Sequence, residues 1–127
     1  MRVFKTKWFA RLARKEKIDD GRRCDAVNRA GRGSIDADLG GGLIKQRVAR
    51  QGHGRSGGYR TLIAFHSETR SVFLYGYAKN ERDNIGAEEL EKFKTLAKRF
   101  LTMTDDRIEQ ALGESELMEV AGDESKN

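Results

Sequence analysis

Three alternating segments constrain this chain more than any other feature: LIKQRVAR from Leu43, YRTLIAFHS from Tyr59 and SVFLYGYAK from Ser71. Each switches between apolar and polar positions with a period of two, the mark of a half-buried strand. Residues 51–58 separate the first two and residues 68–70 the last two. A parallel return needs a crossover of a dozen or more residues, so the three are expected to run as an antiparallel meander. By alternation, Lys45, Arg47 and Ala49 share one side of the first strand, and Ile44, Gln46, Val48 and Arg50 the other. In the second strand Arg60, Leu62, Ala64 and His66 lie opposite Tyr59, Thr61, Ile63 and Phe65. In the third, Phe73, Tyr75, Tyr77 and Lys79 are expected on one face.

The flanking segments are mostly helical. After a short strand, RVFK, Thr6 can cap a helix in which Trp8, Phe9, Leu12 and Ala13 recur at helical spacing, with Lys7, Arg11, Arg14 and Lys15 on the remaining face. Asp19 or Asp20 starts a second helix that turns Cys24, Val27 and Ala30 inward and stops at Gly31. The stretch GRGSIDADLGGG is loop by composition. Leu90, Phe93, Leu96, Ala97, Phe100 and Leu101 form the stripe of a helix over 87–101, and Thr104 or Asp105 can cap a short last one. The expected fold is α+β: a small antiparallel sheet, the N-terminal strand plus the meander, packed against an N-terminal helical hairpin and a C-terminal helix. One domain is expected over residues 1–113, followed by an acidic, flexible tail over 114–127 from which Leu117, Met118 and Val120 can dock.

Charge is divided unevenly. Residues 1–82 hold 19 Lys and Arg against 8 Asp and Glu, whereas residues 83–127 hold 6 against 12. The basic part points to a polyanionic partner; the competing reading is a merely solvated surface. No apolar run approaches the roughly 18 residues of a membrane span, and charges interrupt the basic N-terminus too often for a secretory signal, so the expected setting is the cytoplasm, away from membranes. One cysteine and two histidines, His53 and His66, are a poor metal kit, so no metal and no cofactor are expected. Cys24, on an apolar stripe, reads as core.

Between the first two strands the chain spells GHGRSG, Gly52 to Gly57, a literal G-x-G-x-x-G. That motif holds a pyrophosphate only where a helix N-terminus follows, and here a strand follows. Its arginine is better grouped with the others. In a meander Lys45, Arg47, Arg60 and Lys79 lie on neighbouring strands, with Arg50, Arg55 and Arg82 close in sequence. Cations so gathered repel one another unless an anion lies between them. RNA suits such a place, because arginine forks match phosphate oxygens and aromatic faces stack on bases. Tyr77, at the end of its strand, is the aromatic expected in a wet position, and Phe73 is expected in the core.

The order strand, two helices, meander, helix resembles the RelE/ParE superfamily of toxins from type II toxin-antitoxin systems. The residues that carry the likeness are GYR at 58–60 after KQRVAR, and YGYAKNERDNI at 75–85 with its K-x-E-R; together they resemble the HigB/RelE-type branch and span roughly residues 1–101. The resemblance implies a ribosome-dependent mRNA endonuclease, partnered by mRNA and the ribosome and neutralised by a cognate antitoxin encoded in a neighbouring gene. It implies a metal-free attack of the ribose 2′-hydroxyl on the adjacent phosphate. Arg60 then matches the arginine that stabilises the pentacovalent phosphorus, with Arg47, Lys79 and Arg82 as further catalytic cations and Lys45, Arg50, Arg55 and Tyr77 holding RNA. Asn80 stands where that branch has an arginine, and DNIG where it has a tyrosine, so Tyr77, His66, Lys79 and the ribosome itself all stay open as the proton donor to the leaving group. The rival reading keeps the fold without catalysis, as a ParE-like gyrase-inhibiting toxin or a basic nucleic-acid-binding module.

Overall fold

The computed structural model describes residues 1–50, 54–66, 69–78 and 85–120. Strand β1 (Arg2–Thr6) leads directly into α1 (Lys7–Glu16) and α2 (Asp20–Gly31). Each helix begins where its sequence offers a side-chain acceptor: Thr6 Oγ1 accepts from Phe9 N at 3.1 Å and Asp19 Oδ1 from Arg22 N at 2.9 Å. Such caps contribute about 1 kcal/mol each. The remaining elements are β2 (Ala37–Gly40), β3 (Leu43–Arg50), β4 (Gly54–His66), β5 (Arg70–Ala78), α3 (Ala87–Thr102), α4 (Asp105–Gly113) and β6 (Leu117–Glu119).

The meander forms as expected, β3 antiparallel to β4 and β4 to β5, but the sheet is larger than the sequence suggested. It has six strands in the order β2-β3-β4-β5-β1-β6. Strand β2 arises inside the stretch read as loop. Ala37 and Asp38 pair with Lys45 and Ile44, and Gly40, Gly41 and Gly42, all at positive φ, make the turn into β3. A side chain at Gly42 would be strained by its φ of +85° and would meet Leu101 Cδ1 at 2.6 Å. At the other edge, β1 lies parallel to β5 and antiparallel to β6. Leu117 and Val120, left open as docking residues, are buried there.

Helices cover both faces. On one, α1 and α2 pack Phe9, Ala13, Cys24, Val27 and Ala30 against Ile44, Val48, Tyr59, Ile63 and Phe73. On the other, α3 and α4 pack Ala97, Phe100, Ile108 and Ala111 against Leu43, Leu62, Ala64, Val72 and Leu74. Arg70, 8% exposed, secures the second layer: its Nη1 donates to the carbonyls of Phe100 at 2.8 Å and Met103 at 2.7 Å, and its Nη2 to Asp105 at 3.1 Å. One cation thereby satisfies carbonyls that the end of α3 leaves without helical partners.

A bulge corrects one expectation about faces. Between Leu62 and Ile63 the β4/β5 register shifts, so Phe73 pairs with Ile63 while Tyr75 pairs with Leu62. The extra residue, Leu74, breaks the alternation of β5. Phe73 therefore meets Phe9 on the α1 side, whereas Tyr75 and Tyr77 lie on the α3 side. Strand β4 also starts earlier than expected, at Gly54, so most of GHGRSG belongs to a strand and none of its described residues opens a helix. Cys24 is buried, as its stripe required.

Candidate functional site

The cross-strand register brings Arg47, Arg60 and Tyr77 into one row, Arg47 opposite Arg60 and Arg60 opposite Tyr77. Directly opposed residues of antiparallel strands share a face with their Cα atoms about 4.5–5.5 Å apart. Two arginines from consecutive strands thus stand side by side, backed by an aromatic ring. Lys45 shares their face one step further along β3, in the row with Leu62 and Tyr75. Lys79 and Arg82 lie outside the described residues, as do the side chains of Arg50 and Arg55.

The two arginines are held differently. Arg47 is 44% exposed and tethered: Asp36 accepts from its backbone N–H at 2.7 Å and from its Nη2 at 3.2 Å. Burial opposes ionisation of Asp36, but the two bonds from Arg47, with the charges of Arg47 and Arg29, outweigh it and hold the carboxyl below its ordinary range. Arg60 has no such tether among the described residues. Its Nη1 is buried and has no hydrogen-bond partner among the described residues. A buried guanidinium N–H left open costs free energy unless an acceptor arrives, and it faces a row whose charge calls for an anion.

Four residues to which the sequence reading gave no part in the site shape the row and its surroundings. Gln46, fully buried, donates to the carbonyls of Ala26 at 3.0 Å and Ser34 at 3.1 Å and accepts from Asp36 N at 2.6 Å, which fixes Asp36 beside Arg47. Arg29, 7% exposed, donates from α2 to the carbonyl of Arg47 and to Asp25. A glutamine on the same side as Ile44 and Val48 was the available signal, since a polar group at a core position needs several partners. The fourth is Trp8. Read as part of the inward stripe of α1, it is instead 42% exposed and stacks on Tyr75 with ring centroids 4.7 Å apart.

Trp8, Tyr75, Phe93, Leu96 and Phe100 line a largely apolar groove of about 470 Å³, with Lys7 and Arg99 at its margin. The ring of Tyr75 lies 5.0 Å from that of Phe93 and 6.1 Å from that of Tyr77, centre to centre, so one lining residue of the groove neighbours the arginine row. Tyr77 itself is 5% exposed, a correction to its expected wet position. It supports the row from below, and the partly exposed aromatic beside it is Tyr75. His66 is corrected as a candidate proton donor: it pairs with Arg70 at the far end of β4. Six residues of strand separate it from Arg60, about 20 Å.

Among the described residues no group of His, Cys, Asp and Glu is arranged to hold a metal ion. None of the described helices is long and apolar enough to cross a membrane. The family model described as RelE toxin of RelE / RelB toxin-antitoxin system matches residues 1–120, and the chain belongs to that family. It is accordingly the toxin component of a toxin-antitoxin system, with a cognate antitoxin as its partner. No curated protein sequence matches the chain.

Proposed function

We propose that this toxin is a ribosome-dependent mRNA endonuclease whose reaction centre is the Arg47–Arg60–Tyr77 row. The observation that supports it most is the buried Nη1 of Arg60, a donor without a partner among the described residues and beside a second arginine. In the reaction the 2′-oxygen of a ribose forms a bond to the adjacent phosphorus as the bond to the 5′-oxygen of the next nucleotide breaks. The products are a 2′,3′-cyclic phosphate and a 5′-hydroxyl. Negative charge grows on the equatorial phosphoryl oxygens as five bonds form, and the Arg60 guanidinium is the group proposed to meet it. Arg47, oriented by Asp36, binds a second oxygen and sets the phosphate for in-line attack. Arginine stays protonated at any working pH, so its share of the acceleration is electrostatic and positional rather than proton transfer.

Lys45 extends the cationic strip along β3, where the strand can follow the sugar-phosphate chain. Lys79 and Arg82, next in sequence after β5, complete the proposed catalytic set, and Arg50 and Arg55 the phosphate contacts. The ribosome holds the message in an extended, accessible form, and the antitoxin closes the same basic surface with an acidic or apolar segment.

The test is to induce the chain in bacteria and map mRNA 5′ ends across translated frames. New ends within reading frames are expected, and Arg60→Ala is expected to suppress them by about 100- to 1000-fold in rate, the cost of one transition-state donor. Growth arrest with intact mRNA and impaired supercoiling would overturn the reading in favour of gyrase poisoning.

A further inference from the structure

A second cationic pocket lies on the opposite face of the sheet from the arginine row. Lys5 pairs in register with Phe73, on the α1 and α2 side. There Lys5, Arg14 and Arg23 border a cavity of about 170 Å³, floored by Ala10, Ala13 and Ile18. That space accommodates a tetrahedral oxyanion and little more.

Arg23 is a costly residue to place there. It is 3% exposed, at the position in α2 one turn before Val27, on a stripe otherwise built from core residues. Its Nη1 donates to the carbonyl of Ile18 and its Nη2 meets Asp20, but its Nε is buried without a partner among the described residues. Lys5 draws on the same carboxylate oxygen, Asp20 Oδ1, at 3.4 Å. One acidic oxygen thus serves two largely buried cations, and Arg14, exposed at the rim, adds a third positive charge. Desolvation, then repulsion from Arg23 and Arg14, pushes the Lys5 ammonium below its ordinary value; desolvation also lowers Arg23 despite the pull of Asp19. Both groups are short of negative charge where they sit. Hydrophobic side chains of similar size would fill a helix–sheet seam at no such cost.

We propose that Lys5, Arg14 and Arg23 form an oxyanion subsite that takes a single phosphate group, separate from the reaction centre. A phosphate there supplies acceptors to the Arg23 Nε and to both Lys5 and Arg14, and offsets a charge excess that Asp19 and Asp20 leave standing. The same chemistry is carried by free phosphate and by the phosphodiester of an RNA backbone.

Titration of the full chain with inorganic phosphate at constant ionic strength, followed by amide chemical shifts, tests the site. Saturable shifts are expected in residues 13–23, with a midpoint on the order of millimolar. Arg14→Gln alters only an exposed side chain, so it retains the fold; it is expected to weaken binding several-fold. Lys5→Gln is expected to weaken it by about 10-fold or more, the scale of a lost charge-assisted hydrogen bond. A short single-stranded RNA that competes for these shifts identifies backbone phosphodiester as the source, and one that shifts only the arginine row identifies free phosphate. Equal shifts with chloride at matched ionic strength, or a phosphate response unaltered in both variants, would overturn the proposal.

Discussion

Gln46, Thr61 and Gly76 form one row across β3, β4 and β5; Arg47, Arg60 and Tyr77 form the next, a single residue further along each strand. The first row lies under α1 and α2. Gln46 and Thr61 are fully buried there, Thr61 Oγ1 donates to the Gln46 carbonyl at 2.8 Å, and a side chain at Gly76 would meet Leu12 at 3.0 Å and Phe9 at 3.1 Å. The second row faces the other way, with Arg47 open to solvent and an Arg60 donor that has no partner among the described residues. One step of a period-two strand separates a closed, satisfied layer from a cationic, incomplete one. Rigidity on the first face is what lets the second hold like charges side by side.

Variants on the two rows should separate stability from activity. The largest expected loss is Phe73→Ala on the closed face: a fully buried ring, removed from contact with Phe9, should cost about 3–5 kcal/mol in chemical denaturation and leave little folded toxin. Arg60→Ala should do the reverse. Alongside the loss of cleavage, its unfolding free energy should change by less than about 0.5 kcal/mol, because a partly solvated cation beside another contributes little to folding. A stability loss as large as that of Phe73→Ala would mean the row is structural.

Gln46→Ala joins the two rows. It strands the carbonyls of Ala26 and Ser34 and the N–H of Asp36, at about 2–3 kcal/mol, and it releases Asp36 from Arg47. Folded Gln46→Ala protein at low temperature should therefore cleave more slowly than wild type while keeping its far-UV spectrum. The smallest effect is Asp36→Asn, about 1 kcal/mol near neutral pH. Because the folded-state pKa of Asp36 is depressed, its contribution is complete above the unfolded value of about 3.9 and disappears as pH falls through the folded one. Denaturation midpoints of wild type and Asp36→Asn should differ at pH 7 and converge below about pH 4; a constant gap would assign the effect to something other than charge.

Periodicity exposed the helices, their caps and the meander because those depend on neighbours in sequence. Thr6, Asp19 and Thr104 each accept from the backbone N–H three residues on. That Arg47 and Arg60 lie on neighbouring strands was legible for the same reason, but that they stand opposite each other depends on the register, which alternation alone leaves open. What escaped depends on long-range pairing. Strand β2 has four residues, two of them small, and exists because β3 offers an edge. The bulge at Leu74, which moves Phe73 off the face of Tyr75, is a mismatch between strands and leaves no local mark. Trp8 and Phe9 sit next to each other at the start of α1, and only the position of Tyr75 decides which of them stays in solvent. Asp36 lies in a stretch whose glycines suggested loop, and its role comes from a glutamine ten residues later.

Strand β1 has a further consequence for how the toxin comes into being. Its two neighbours are β5, nearly 70 positions downstream, and β6, whose partners begin at Leu117. Residues 2–6 thus complete their pairing only when two segments far along the chain are in place, so this side of the sheet rests on contacts of high sequence separation and closes late in folding.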